Sequence, residues 1–133
     1  MAHGFHPAYF QTHFVAEALP AVWPAAFGIV TAWATTGEHW PEGRNREADE
    51  HLRQTLQARG LPHQRLTGTS PDGTHAEPGW AVTATRAEVV ALGREFLQDA
   101  VYWVESDQLQ VLSCREDRAA PVGRLSERVR PAD

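Results

Sequence analysis

The sequence predicts an α+β fold: an antiparallel sheet of about five strands with two helices on one face. The order is that of a ferredoxin-like βαββαβ unit, extended by one extra edge strand. Three observations predict it. Two segments carry helical apolar stripes, five others carry short strand-like runs, and the two kinds alternate as β-α-β-β-α-β-β.

Residues Met1 to Pro24 resist assignment. Tyr9, Phe10, Phe14 and Val15 are apolar, and Pro20 and Pro24 break any regular element beyond them. An N-terminal arm (1–24) laid over the core would bury these aromatics. Phe27-Gly28-Ile29-Val30-Thr31-Ala32-Trp33 is apolar on both faces, as a central strand is. Thr35 to Gly43 is a loop holding His39 and Trp40. Asn45 then stands where a helix N-cap is expected, with Glu47 and Asp49 in the first turn. Ala48, Leu52 and Leu56 make one stripe, and Arg59-Gly60 closes the helix.

Gln64 to Thr67 is a weak strand. Ser70-Pro71-Asp72-Gly73 is a strong turn signal, and Trp80 to Thr83 is the next strand. Thr85-Arg86-Ala87-Glu88 is a capping box for a second helix, striped by Val89, Leu92 and Phe96. Val101–Val104 and Leu109–Leu112 pair as a hairpin through Ser106-Asp107. From Arg115 the chain mixes arginines, acids and prolines, which predicts a mobile tail (115–133) behind a single domain (1–114).

Composition narrows the chemistry. With 133 residues, 42% of them hydrophobic, one domain with its own core is expected. Every basic residue is arginine, so Schiff-base catalysis and a phosphate-binding P-loop, which need an amine, are excluded. A net charge of −5 argues against general nucleic-acid binding, which relies on a basic surplus. The single Cys114 allows no internal disulfide and no cysteine-based zinc knuckle, and fits a reducing compartment. No apolar run reaches the roughly 20 residues that span a bilayer, and no secretion signal stands at the N-terminus. The expectation is a cytoplasmic chain without membrane segments or cofactors.

Several segments resemble the bacterial domain of unknown function 3293 family, a group of uncharacterised small proteins. The residues that carry the resemblance are Val30-Thr31-Ala32, Asn45, Asp72-Gly73 with His75, Glu77 and Pro78, and Leu92-Gly93, Phe96 and Gln98-Asp99-Ala100-Val101. It covers about Tyr9 to Cys114. Relatives tend to carry Asn-Pro where Ala34-Thr35 stands here. The resemblance implies one intracellular domain and supplies no activity.

Candidate site residues cluster where the chain changes direction. His75 and Glu77, two apart, point to one side of an extended chain and can share a proton or a ligand. The bland alternative is an exposed histidine beside a carboxylate that accepts backbone amides. Gln98 and Asp99 either tie down carbonyls at the helix end or face His75 and Glu77 in a polar cluster suited to acid–base work. Asn45 is a cap or a ligand-binding amide at the loop mouth. The seven histidines show no metal-ligand spacing; His3 and His6 lie in the arm, and His13, His39, His51 and His63 are scattered. Cys114 reads as a small buried hydrophobe. Trp33, Trp80 and Trp103 read as core; Trp23 and Trp40 can line a groove.

The leading expectation is a binding domain for a protein partner or a small polar ligand, engaged by Trp40, Asn45, His75, Glu77 and Gln98. The alternative is a small hydrolase-like enzyme with Glu77 or Asp99 as general base and His75 assisting. Both rest on the loop before Trp80 and the junction after Phe96 meeting in space.

Overall fold

The computed structural model describes residues 4–20, 22–34 and 38–132. His3 and part of the expected 35–43 loop lie outside them. The strands are β1 (His13–Ala16), β2 (Ala26–Thr31), β3 (His63–Thr69), β4 (Ala76–Glu77), β5 (Gly79–Val82), β6 (Ala100–Glu105), β7 (Gln108–Ser113), β8 (Ala119–Arg124) and β9 (Val129–Pro131). Helix α1 (Glu42–Ala58) comes after β2, and α2 (Arg86–Glu95) after β5. Short 3-10 turns occupy Pro7–Phe10 and Leu125–Glu127.

These strands form one mixed sheet in the order β8-β7-β6-β2-β5-β3-β1-β9, with β4 paired to β3 off that path. All pairings are antiparallel except β1 with β9. The expected five-strand ferredoxin-like sheet is therefore overturned. The arm supplies β1, and the segment expected to be a mobile tail (115–133) supplies β8 and β9. Local signals hide these strands because β1 and β9 are short and all three sit at or near sheet edges. β8 reads Ala-Ala-Pro-Val-Gly-Arg, a coil-like composition. Pro121 is tolerated because β8 is an edge strand whose register slips opposite Leu109 and Gln110.

Chain connectivity forces the sheet to curl. Eight strands laid flat would set the outer two roughly 34 Å apart. Only residues 125–128 join β8 to β9, and such a link spans at most about 18 Å. The sheet closes on itself accordingly, as a half-barrel with two helices. Arg128 stitches the seam: its Nη1 donates to the carbonyls of Phe10 (2.9 Å) and Thr12 (3.1 Å). Asp107, in the β6–β7 turn, accepts from the Ser126 amide at 2.9 Å and from the Ser126 hydroxyl at 2.6 Å.

Alternation along the strands sorts side chains into two cores. The concave face gathers Phe14, Phe27, Ile29, Leu66, Tyr102, Val104 and Val111, closed by Phe5, Tyr9 and Phe10 from the arm. On the other face lie Val30, Trp80, Val82 and Trp103, covered by Leu52 and Leu56 of α1 and Val89 and Leu92 of α2. Cys114 is fully buried in this second core, and burial pushes its thiol up to about 11. Among the described residues, no helix is long and apolar enough to cross a membrane.

The capping box forms as its residues dictate. The Thr85 hydroxyl accepts from the Glu88 amide at 3.1 Å, and the Glu88 carboxylate accepts from the Thr85 amide at 2.9 Å. Thr85→Ala is expected to cost about 1 kcal/mol, read as a lower urea midpoint with an unchanged slope. An unaltered midpoint would mean that the cap contributes nothing to the fold.

Candidate functional site

A cavity of about 780 Å³ lies between the N-terminal arm, the end of β2, the β3–β4 hairpin and the start of β6. Phe14, Ile29, Leu66, Trp33 and Tyr102 provide apolar and aromatic lining. Trp40, Asn45, His75, Glu77 and Gln98 line it as well, although they come from separate stretches of chain. Asp99 does not line it. The Asp99 carboxylate instead pairs with Arg115 at 2.7 Å and is 42% exposed. Its neighbour Gln98 turns inward and Asp99 outward across the bend that leads into β6.

The hairpin that carries His75 and Glu77 is built by Asp72. Its Oδ1 accepts from the Thr74 amide (3.0 Å), the Ser70 hydroxyl (2.7 Å) and the Thr74 hydroxyl (2.8 Å). Those donors hold the Asp72 carboxyl down at about 2. The Gly73 amide donates to the Ser70 carbonyl at 2.9 Å, and Gly73 takes the left-handed φ of +76° that such a turn favours. Beyond the turn, Glu77 pairs with Gly68 across the hairpin. The Thr31 hydroxyl then donates to the Pro78 carbonyl at 2.9 Å, tying this strand end to β2.

Burial raises the Glu77 carboxyl above the usual carboxylate range, and the nearby His75 charge opposes this only in part. The His75 Nε2 stands 3.8 Å from Glu77 Oε1, too far for a hydrogen bond, and the imidazole is 69% exposed. Glu77 is thus the interior partner and His75 the rim. Tyr102, also on the wall, donates its hydroxyl to the Tyr9 carbonyl at 2.7 Å. Burial pushes the Tyr102 phenol well above its ordinary value, with Glu77 adding to the shift through space.

Gln98 is placed by the end of α2. The Gln98 amide donates to the Gly93 carbonyl (2.8 Å) and the Leu97 amide to that of Arg94 (3.2 Å), a Schellman closure. Leu97 occupies the left-handed position at φ +62°, where a side chain costs roughly 1–2 kcal/mol. The Gln98 side chain is then buried, and its Nε2 donates to the carbonyls of Trp33 (2.8 Å) and Phe96 (3.1 Å). Both readings of this residue meet here: Gln98 ties down backbone carbonyls and also faces the cavity.

Asn45 is not the helix cap that its position in the sequence suggests. Helix α1 begins earlier, at Glu42 after Pro41, because proline's fixed φ suits the entry to a helix. Asn45 lies inside α1 with its side chain buried. Its Oδ1 accepts from the Ala34 amide at 2.9 Å, and its Nδ2 makes a long contact of 3.5 Å with the Trp40 carbonyl. It ties both ends of the connecting segment to α1. Trp40 is consequently buried, with the Arg44 guanidinium stacked 3.8 Å over its ring.

Sequence reasoning missed Trp33, Tyr102 and the arm residues Tyr9, Thr12 and Phe14 as cavity wall. Aromatic Phe14 is the available signal, but its sheet partners Gly68 and Val129 lie more than 50 residues away in sequence. Among the described residues, no three His, Cys, Asp or Glu side chains converge as a metal site would require.

A family model for proteins of unknown function, DUF3293, matches residues 30–101. That span runs from β2 into β6 and contains Trp33, Trp40, Asn45, His75, Glu77 and Gln98. No curated protein and no solved structure matches the chain.

Proposed function

Since the chain belongs to the DUF3293 family, whose description carries no activity, we propose from the geometry of the cavity that it binds a small, partly apolar molecule between arm and sheet. One observation carries this reading: a cavity of about 780 Å³ whose wall mixes aromatic and aliphatic side chains with polar and ionisable ones. Sites for small molecules are typically about 300–1,000 Å³ with that mixture. A protein partner is the weaker reading. The large apolar side chains exposed among the described residues are Leu19, Val22 and Leu97. Three such side chains fall short of the several hundred Å² of apolar patch that marks a docking surface. The buried lone thiol agrees with a cytoplasmic setting.

Purification of the chain with its native small molecules tests the proposal. Ala76 is exposed and stands on the cavity wall, so Ala76→Trp narrows the cavity without entering the core. Mass spectrometry is expected to find a molecule retained by the wild type and lost from Ala76→Trp. Identical retention in both would refute the cavity as the binding site.

Hydrolysis is supported as a second reading by one feature, a carboxyl of raised proton affinity facing a cavity beside a histidine. Asp99 has no part in it, given its outward pairing with Arg115.

Glu77 also makes a pH prediction. Burial raises its proton affinity in the folded state, so the stabilising contribution is full below its ordinary pKa. It is lost as pH rises through the raised value. Above that value the native chain carries a partly buried charge that Glu77→Gln removes. The variant's advantage in melting temperature is expected to grow as pH rises above about 4, and to vanish below it, where both side chains are neutral. A variant that melts lower at neutral pH would show that the carboxylate serves the fold.

A further inference from the structure

Around Gln98 and Tyr102, the hydrogen-bonding capacity left open on the cavity wall is that of acceptors. Both Nε2 protons of Gln98 are spent on the Trp33 and Phe96 carbonyls. This fixes its Oε1 as the remaining group, and no described residue donates to it, although Gln98 is only 6% exposed. Tyr102 spends its one proton on the Tyr9 carbonyl and keeps acceptor capacity at its oxygen. Asn45 and Thr31 are engaged within the protein. The Trp33 indole N–H is the exception, a buried donor with no partner among the described residues. This indole, the Gln11 amide and the two imidazoles are neutral donors, which do not offset the carboxylates on the same wall.

Charge points the same way. The ionisable groups on the wall are Glu38, Glu42 and Glu77 with the imidazoles of His39 and His75 and the phenols of Tyr9 and Tyr102. Glu42 is offset by Arg46 at 2.7 Å, and Glu38 accepts from the Trp40 indole at 3.3 Å. Although every basic residue of the chain is arginine, no arginine lines the cavity among the described residues. A phosphate or carboxylate ligand would meet carboxylates and carbonyl oxygens without a guanidinium to balance it. A protonated amine meets Glu77, the Gln98 oxygen and the aromatic side chains of Trp33 and Tyr102, all of which attract it.

Resting on the cavity reading above, we infer that the ligand is a cationic amine with an apolar or aromatic body, its ammonium directed at Glu77 and the Gln98 carbonyl oxygen. Three probes of one size separate the possibilities: 2-phenylethylamine, 2-phenylethanol and phenylacetate. Each is titrated into the full chain at neutral pH, with the Trp33 and Trp40 indole N–H resonances as the readout. The amine is expected to bind at least about 10-fold more tightly than the other two, a difference of about 1.4 kcal/mol. Glu77→Gln, which keeps the shape, is expected to remove most of that advantage.

Equal or tighter binding of the alcohol or the acid overturns the inference and leaves the cavity reading standing. Retention of the full amine advantage by Glu77→Gln overturns it too. Absence of binding by all three probes, where the wild type still retains a native molecule that Ala76→Trp loses, overturns the amine assignment alone. Shifts confined to residues outside the cavity overturn both readings.

Discussion

Gly28→Ala is expected to destabilise the chain by about 1–3 kcal/mol, the usual cost of overfilling a packed core. Gly28 sits in central strand β2, between β5 and β6. A β-carbon there would fall inside the contact distance of both Val89 methyl groups. Val89 is fully buried on α2, so neither partner has free space to yield into. The absence of a side chain at position 28 is what lets α2 lie close against the sheet. A double-mutant cycle isolates the effect. Val89→Ala alone leaves a small cavity, and the pair Gly28→Ala with Val89→Ala is expected to recover part of the loss. Urea unfolding of the four proteins checks this. Strict additivity of the two single effects would show that the close approach of α2 to β2 is not what constrains position 28.

Asn45→Ala is expected to cost about 1–3 kcal/mol, because it strands a buried backbone donor as well as losing a hydrogen bond. The donor is the Ala34 amide, which lies in a residue only 9% exposed. A second effect is expected at the cavity. Ala34 and Trp40 both line it, and Asn45 contacts the backbone of both. Probe binding should therefore weaken even at temperatures where the variant remains folded. Amide hydrogen exchange at Ala34 reports the local event, and the urea midpoint reports the global one. Persistent protection of Ala34 together with an unmoved midpoint would contradict this account.

The parts of the site legible in the sequence are those with local causes. Asp72 and Gly73 announce a turn because an aspartate oxygen and a glycine φ satisfy its backbone over only a few residues. Thr85 and Glu88 cap α2 within one turn. His75, Glu77 and Gln98 stand out as polar groups at chain reversals, and they do line one cavity. Asp99 stands out for the same reason, yet one step through the bend before β6 turns it away to Arg115. Asn45 looks like a cap because its residue type favours caps, but its partner Ala34 lies 11 residues upstream. No local rule predicts that bond.

By itself, the sequence determined the two helices, the turn at 70–73, the β6–β7 hairpin and the capping box of α2, since each rests on groups a few residues apart. It also determined that lysine and disulfide chemistry are absent. The sheet's breadth and closure were decided only by tertiary structure. β1 is four residues long and β9 three, and each gains most of its stability from neighbours distant in sequence. β8 and β9 become strands because the short link at 125–128 draws opposite sheet edges together. The cavity arises from that curl, since flat sheet and arm would leave Tyr9, Phe14 and Tyr102 no shared interior to line.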